Sequence, residues 1–420
     1  MYRHIRFYWV LMLACSIVIG VSSCTEVATP IALPNFESGG LLNLLSAEPL
    51  PDAILKKFEG IYSVVAGKQV LGDFVVSKQT PGILSFFNGV DAYIILRAGV
   101  IDSAIVFEGA GRLAFSDSTR LIRLILPAEK GGSDLLKGRS ITNAMLLESP
   151  DDATQPIELR FIRPLTDTTQ NFIIFSHHGG RNEDQPPYAE NSLNSIRFAE
   201  RFGANGYEMD IRLTKDNIPI LYHDETLNTR LVNGEYAVGA IANYTLAQLR
   251  AVATLRDGQQ IPTLAEALDM AVRRTTLSYI WLDMKVPEAV SYVMPLIQTY
   301  TTRAQQLNRS ITMYLGLPDE GITTAYEQHP LAKSVKTICE LDESTTLRLS
   351  SSIWAPRWTL GSQASDIIAN NFNQKGIRTV YWTVDEKDIM LKFLQDRTCN
   401  GMNTNRPYLL YYLYHINRRN

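Results

Sequence analysis

Cysteine is scarce in this chain. Only four occur among 420 residues, at positions 15, 24, 339 and 399, and none are spaced as a zinc site requires. No run of Lys and Arg stands out either. Acidic residues outnumber basic ones, 43 to 40, for a net charge of −3, so there is no electrostatic case for binding nucleic acid. No apolar run reaches the ~20 residues that a membrane-spanning helix needs. No glycine-rich nucleotide loop follows a strand, which removes the main support for a doubly wound dinucleotide fold. Histidine is rare as well, six in all, so any grouping of histidines carries weight.

What is present reads as an ordinary globular chain, 45% hydrophobic and 20% charged, long enough for two domains. The first residues form a targeting signal. Arg3 and Arg6 open it, residues 7–21 are almost continuously apolar, and Val21-Ser22-Ser23-Cys24 closes it. That ending resembles a bacterial lipobox. The resemblance implies cleavage before Cys24 and diacylation of its thiol, and so a lipid anchor in the bacterial cell envelope, on the periplasmic or surface face of the outer membrane. A simple secretory signal or an uncleaved anchor is the alternative. Removing residues 1–23 leaves 38 basic and 43 acidic residues, a net charge of −5. Membrane attachment then rests on the lipid and not on a polybasic patch. Of the cysteines, only Cys339 and Cys399 remain to pair, which an oxidising compartment would permit.

Residues 24–50, with Pro30, Pro34 and Gly39-Gly40, read as a tether. Residues 51–164 are β-rich, with candidate strands at 62–65, 74–77, 83–87, 92–97, 103–107, 120–126, 144–147 and 157–162. Short strands separated by Gly, Pro, Asp and Ser favour a closed barrel or a sandwich. The stretch from Phe58 to Tyr62 loosely resembles the opening of lipocalin-like barrels, and a small β spacer without ligand is the plainer reading. After Pro164 strands alternate with helical patterns. Strands are expected at 172–176, 206–211, 219–222, 279–284, 311–315, 335–341, 353–356, 379–384 and 401–403. About eight strands with helices between them, over residues 171–415, predict an α/β fold, a (β/α)8 barrel of the TIM type.

The chemistry gathers near the start of that second domain. Glu208 and Asp210 lie two apart on a predicted strand, so both carboxylates face one side. Such like charges repel unless a cation sits between them, and a hard divalent ion, Mg2+ or Ca2+, is the natural occupant. His177 and His223 each end a predicted strand. Two imidazoles at one mouth can divide a proton transfer between base and acid. Asp283 and Lys285 repeat the i, i+2 spacing on another strand. Asp283 can complete a metal shell, and Lys285 can balance a phosphate oxygen. A solvated acidic pair or a salt-bridged strand would be the bland explanation of each fragment taken alone.

Taken together, the fragments resemble the signature of the glycerophosphodiester phosphodiesterase family. They stand as His177-His178-Gly179, Glu190-Asn191, Glu208-Met209-Asp210, Thr214-Lys215-Asp216 and His223-Asp224. Then follow Ile261-Pro262-Thr263-Leu264, the Leu282-Asp283-Met284-Lys285 strand, Tyr381-Trp382-Thr383-Val384, and residues 400–407. The resemblance implies a (β/α)8 barrel, one divalent cation, and cleavage of glycerophosphodiesters to glycerol 3-phosphate and an alcohol. By motif, His177 and His223 match the acid/base pair and Glu208, Asp210 and Asp283 the metal ligands. Lys285 matches the phosphate-contacting lysine, and Glu190 and Trp382 fall at substrate-binding positions. Two residues depart from the pattern. His178 stands where the family has arginine, whose planar fork histidine cannot reproduce, and Arg181 is the nearest possible substitute. Asp283 stands where the family has glutamate, one methylene longer. A lysophospholipid- or sphingolipid-directed phosphodiesterase of the same superfamily is the alternative enzyme. A surface binding protein with a decayed site is the non-enzyme alternative.

Overall fold

The computed structural model describes residues 46–114, 119–139, 145–150, 156–165, 172–180, 188–360, 363–395 and 399–417. The leader, most of the expected tether and Cys24 lie outside these residues. So does Arg181.

The β-rich half is a closed barrel and not a sandwich. Its strands are β1 (Gly60–Ala66), β2 (Phe74–Thr80), β3 (Ile83–Phe87), β4 (Tyr93–Ile101), β5 (Ala104–Arg112), β6 (Thr119–Leu126), β7 (Leu146–Glu148) and β8 (Glu158–Pro164). Each pairs antiparallel with the next, and β8 returns to β1. Closure gives every strand a neighbour on each side, most narrowly where β6 meets β7 at Ile125 and Glu148 among the described residues. Phe58, Tyr62, Phe86, Leu96, Phe107 and Leu124 fill the interior. The strand expected at 103–107 runs on to Arg112 through two glycines, which weaken a strand pattern on paper. The barrel requires glycine there, because a Cβ on Gly109 would stand 2.1 Å from the Ile95 carbonyl. Glu48–Pro49, just ahead of the expected boundary, already pairs with the far end of β4.

The second half closes eight parallel strands into a ring. They are β9 (Ile173–His177), β10 (Gly206–Leu213), β11 (Tyr279–Met284), β12 (Thr312–Leu317), β13 (Lys336–Cys339), β14 (Ile353–Trp354), β15 (Arg378–Tyr381) and β16 (Gly401–Thr404). Each lies beside its successor, and β16 pairs with β9. Each strand is followed by a helix: α1 (Leu193–Phe198), α2 (Leu264–Arg274), α3 (Val290–Gln306), α4 (Glu320–Gln328), α5 (Glu343–Arg348), α6 (Gln363–Gln374), α7 (Lys387–Gln395) and α8 (Pro407–Asn417). The period-2 pattern of each strand sorts its residues. Met209, Ile211, Ile280 and Leu282 face the helices. Phe175, Trp281, Tyr314, Ile338 and Val380 face inward. The inward residues two positions further on are His177, Asp283, Gly316, Glu340 and Trp382, and these line the mouth.

One expected barrel strand is something else. Pro219–Leu221 folds back antiparallel on β10, pairing Ile211 with Leu221. Only five residues separate the two, too few for the crossover that a parallel partner needs. The hairpin still delivers His223 to the mouth, because Tyr222 N donates to the Asp210 carbonyl at 3.0 Å. Residues 225–261 then form an insertion with two small sheets, its own apolar cluster, and a helix, Leu246–Val252, started by a Thr245–Gln248 capping box.

The two barrels share a core. Along β1–β4 the residues alternate between the barrel interior, as Tyr62, Val75, Phe86 and Ile94, and an outer face, as Ile61, Val76, Phe87 and Tyr93. The outer set packs on Phe202 and on Tyr408, Tyr411 and Tyr414 of α8. Tyr93 meets Phe202 edge-on at 5.1 Å and Tyr408 at 5.4 Å. This double burial is why the strands read as unbroken apolar runs. Lys78 crosses the seam and donates to the Ala204 carbonyl at 3.1 Å. Gly203 allows the close approach, since a Cβ there would lie 2.7 Å from Tyr411.

A shared core predicts shared unfolding. Trp281, Trp354, Trp358 and Trp382 all sit in the parallel barrel, so their fluorescence reports that half while far-ultraviolet circular dichroism reports both. The two signals are expected to change at one urea midpoint. Phe202→Ala is expected to lower stability by about 3–5 kcal/mol. Two separated midpoints in the unaltered protein would contradict the shared core.

Candidate active site

Glu208 and Asp210 rise from the inner face of β10, and Asp283 stands in register with Asp210 on β11. A carboxylate oxygen from each lies within 4.8 Å of the others. Glu208 and Asp210 are buried, and each is held by the β9–α1 connection. Glu208 Oε2 accepts from the His178 backbone N–H at 2.9 Å. Asp210 Oδ2 accepts from Asn191 Nδ2 at 2.7 Å, and Asn191 Oδ1 accepts from the Asp210 N–H at 3.2 Å. Lys285 places its ammonium 2.9 Å from Asp210 Oδ1 and 2.7 Å from Asp283 Oδ2.

Burial and mutual repulsion divide the three acids. Burial works against the charge on Asp210, but Lys285 and the neighbouring imidazoles outweigh it and hold its pKa low. Burial and the charge of Asp210 push Glu208 up, and Asp283 is raised by burial first. Burial also opposes charge on Lys285, yet Asp210, Asp283 and Glu208 more than offset it and keep the ammonium protonated. Glu208 Oε1 and Asp283 Oδ1 are buried without a hydrogen-bond partner. Orphaned buried acceptors cost free energy unless a proton or a cation meets them. The donor set is all oxygen and anionic, which fits a hard divalent ion.

The turn after β9 is strained into the left-handed region at three consecutive residues, His178 (φ 37°), Gly179 (φ 92°) and Gly180 (φ 89°). A Cβ on Gly179 would stand 2.5 Å from Ser195 Cβ and 2.9 Å from the Tyr207 hydroxyl, so only glycine fits. This turn aims His177 into the mouth. Its Nδ1 lies 2.9 Å from Asn405 Oδ1. Asp385 decides which way that amide faces, because Asn405 Nδ2 donates to Asp385 Oδ2 at 2.6 Å. The His177 proton therefore belongs on Nδ1, and Nε2 presents a lone pair 3.9 Å from Glu208 Oε2. Burial, then the neighbouring His178, lowers the His177 pKa to about 3, so the ring is neutral near pH 7.

His223 is fixed by a different partner. Its Nδ1 lies 2.7 Å from Asp224 Oδ1. The same oxygen accepts from Arg230 NH2 at 2.9 Å, and Asp224 Oδ2 accepts from Asn228 Nδ2 at 2.7 Å. These bonds overcome burial and keep Asp224 ionised. The His223 side chain is 39% exposed, so it can exchange protons with solvent. Arg230 also grips the buried Glu190 with NH1, at 3.0 and 3.1 Å to its two oxygens. His178 completes the row. Its ring centroid is 3.9 Å from that of His177 and 6.1 Å from that of His223. Burial lowers its pKa to about 3. Its Nδ1 stands 3.8 Å from Glu190, too far for a hydrogen bond. A neutral buried imidazole thus occupies the position where a guanidinium was expected.

The structure brings together His177, His178, His223, Glu190, Glu208, Asp210, Asp283 and Lys285. Trp382 reaches the same mouth at the end of β15, its indole N–H donating to the Ala355 carbonyl at 2.7 Å. Four contributors escaped sequence reasoning. Arg230 arrives on the insertion, and Asn405 and Asp385 follow the last two strands. Glu340 directly follows β13, with one buried oxygen unpartnered and a pKa raised by burial and by Asp283. The Asn405 position lay in a quoted motif, and its spacing two residues beyond Asn403 on an inward face was the available signal. Arg230 offered none, because its partners are 40 and 6 residues away. Cys339 and Cys399 are each buried, and no disulfide joins them.

Residues 178–409, more than half of the chain, match the model of the glycerophosphoryl diester phosphodiesterase family. Among curated proteins, the chain is 36% identical over 139 residues to glycerophosphodiester phosphodiesterase 1 of Mus musculus, covering 31% of this chain and 39% of that protein. It is 27% identical over 255 residues to a probable glycerophosphodiester phosphodiesterase 2 of Mycobacterium tuberculosis, covering 57% of this chain and 89% of that one. The chain thus spans about two-fifths of the mouse relative's length. Among solved structures it is similar to a glycerophosphodiester phosphodiesterase of Parabacteroides distasonis, with a TM-score of 0.48 and 19% identity over 59% of this chain and 98% of the other.

Glu190 supplies a pH test. Burial raises its pKa to about 7 against the opposing pull of Arg230, whereas an unfolded glutamate titrates near ~4.3. Between those values the folded state binds the extra proton, so stability falls as pH rises through the window. Metal-free protein is expected to lose stability from pH 5 to pH 7, and Glu190→Gln to lose less. Urea midpoints at the two pH values measure it, and an equal fall in both proteins would refute it.

Proposed function

Because the chain belongs to the glycerophosphoryl diester phosphodiesterase family, we propose that it hydrolyses glycerophosphodiesters to glycerol 3-phosphate and an alcohol. The observation that carries this reading is the pair of fixed imidazoles beside the acidic triad. His177 is locked through Nδ1 to Asn405 and His223 through Nδ1 to Asp224, so both offer Nε2 to a bound diester.

Glu208, Asp210 and Asp283 would hold one divalent cation, Mg2+ or Ca2+, which when bound neutralises phosphate charge and orients the diester. His177, neutral and buried, takes a proton from the nucleophile, either a water or the substrate's neighbouring hydroxyl. A new P–O bond forms as the bond to the departing alcohol breaks. His223, acting as the imidazolium with one proton held on Nδ1 by Asp224, delivers its Nε2 proton to that alcohol oxygen and reloads Nε2 from solvent. On the hydroxyl route a cyclic phosphate forms first, and water then opens it. Asp224 keeps the His223 proton on Nδ1 and its ring in place. Lys285, whose ammonium stands beside Asp210 and Asp283, would balance phosphate charge next to the cation those acids hold. Glu190 with Arg230, His178 and Trp382 shape the pocket around the substrate.

The assay follows glycerol 3-phosphate released from glycerophosphocholine with Mg2+, with Ca2+ and with chelator. Activity is expected with at least one ion and none with chelator. His177→Ala and His223→Ala are each expected to cut kcat by roughly 10^2- to 10^4-fold while the far-ultraviolet spectrum stays native. Near-wild-type rates in either variant would overturn the assignment. Faster release of choline from lysophosphatidylcholine would favour the lipid-directed alternative.

We further propose that the mature enzyme is held in the bacterial envelope by a lipid on Cys24, on the strength of the leader pattern alone. Mass spectrometry of the N-terminal peptide is expected to show a diacylated Cys24, and an unmodified cysteine or an intact leader would refute it.

A further inference from the structure

Among the described residues the antiparallel barrel gathers no catalytic side chains, yet one of its loops reaches the supports of His177. The imidazole leans on Asn405, and Asn405 leans on Asp385 through its backbone N–H (2.8 Å) and its side-chain amide (2.6 Å). Thr404 Oγ1 adds a third bond to Asp385 at 3.0 Å. The orientation of His177 therefore depends on the spacing between two chain segments, one after β15 and one after β16.

Residues 88–92, which join β3 to β4, hold both segments. Lys387, two residues past Asp385, donates from Nζ to the Gly89 carbonyl at 2.7 Å. Tyr408, three residues past Asn405 and fully buried, donates its hydroxyl to Asp91 Oδ1 at 2.7 Å. The loop is braced by bonds of its own. Asn88 Oδ1 accepts from the N–H groups of Val90 (3.1 Å) and Ala92 (2.9 Å), and its amide donates to the Leu71 carbonyl at 3.1 Å. Gly89 lies flat against the helix, since a Cβ there would stand 2.8 Å from the Tyr412 ring. Tyr93, at the loop's far end, is clamped between Phe202 and Tyr408.

We propose that residues 88–92 are a positioning element for His177, so that the antiparallel barrel takes part in catalysis by fixing the distance between the Asp385 and Asn405 segments. Asp91 and Tyr408 touch no reacting atom; they act through Asn405. The proposal rests on the reading of His177 as a proton-transfer group. It goes beyond that reading by giving the antiparallel barrel a task.

The test uses the full mature chain. Asp91→Ala and Tyr408→Phe each cut one tie, and Tyr408→Phe keeps the ring and so protects folding. Lys387→Met cuts the other tie at the surface. Two readouts are taken on each variant. The first is kcat and KM for glycerophosphocholine. The second is the tautomer of His177 in two-bond 1H–15N spectra, assigned with His177→Gln. The unaltered protein is expected to show a single Nδ1–H tautomer. In Asp91→Ala and Tyr408→Phe, kcat should fall on the order of 10-fold with little change in KM, as small misplacements of a reacting group do, and the Nε2–H tautomer should appear. A loop that only glues the barrels would lower the thermal midpoint and leave both readouts unchanged. Either readout staying at its wild-type value in Tyr408→Phe overturns the proposal. If His177→Ala itself keeps full activity, the acid–base reading fails; if that variant is dead and Tyr408→Phe is unimpaired, only the loop's role fails.

Discussion

Three carboxylates confined within 4.8 Å of one another repel, and the mouth of the parallel barrel is built around that repulsion. Two of them, Glu208 and Asp210, are locked by donors from the β9–α1 connection, the His178 N–H and the Asn191 amide. Lys285 supplies the one positive charge within bonding distance of the cluster among the described residues. The strained turn through residues 178–180 exists to bring that backbone N–H and the His177 ring to the same spot. Remove the acids, and neither the left-handed turn nor a lysine on an inner strand face has a physical reason to be there.

Much of this was legible in the chain itself, and the legible parts share a cause. Residues two apart on a strand face one way, so Glu208 with Asp210, and Asp283 with Lys285, could be paired on paper. Strand ends followed by histidine marked the mouth. The alternation of strands with helices was enough to expect a barrel of eight. The eight-stranded closure of the first domain was open between barrel and sandwich, because sheet closure is a long-range pairing that local pattern does not encode. The strand at 219–222 was read as part of the ring because its composition is that of a barrel strand; only the shortness of the loop before it betrayed the hairpin.

What stayed hidden is the set of residues that hold the mouth's imidazoles and Glu190 in place. Asn405 is 228 residues from His177, and Asp385 is 20 from Asn405. Arg230 is 40 from Glu190. None of these pairs obeys a local periodicity, and each side chain alone is an ordinary polar residue near a strand end or in a loop. His178 shows the same limit from the other side. Its departure from the expected arginine was plain, but its answer was not: a buried, uncharged ring, with Arg230, a guanidinium of the insertion among the described residues, already engaged by two carboxylates.

The seam between the barrels has a consequence for inheritance. Tandem domains joined by a loose linker can be recombined, lost or duplicated as separate exchange units. Here a break near residues 165–172 would strip Ile61, Val76, Phe87 and Tyr93 from one piece and Phe202, Tyr408 and Tyr411 from the other, leaving two sticky apolar faces. The pair is therefore transmissible only whole. A change of side-chain volume on one side of the seam calls for a matching change on the other, so the first barrel is fitted to the second through the side chains it turns outward.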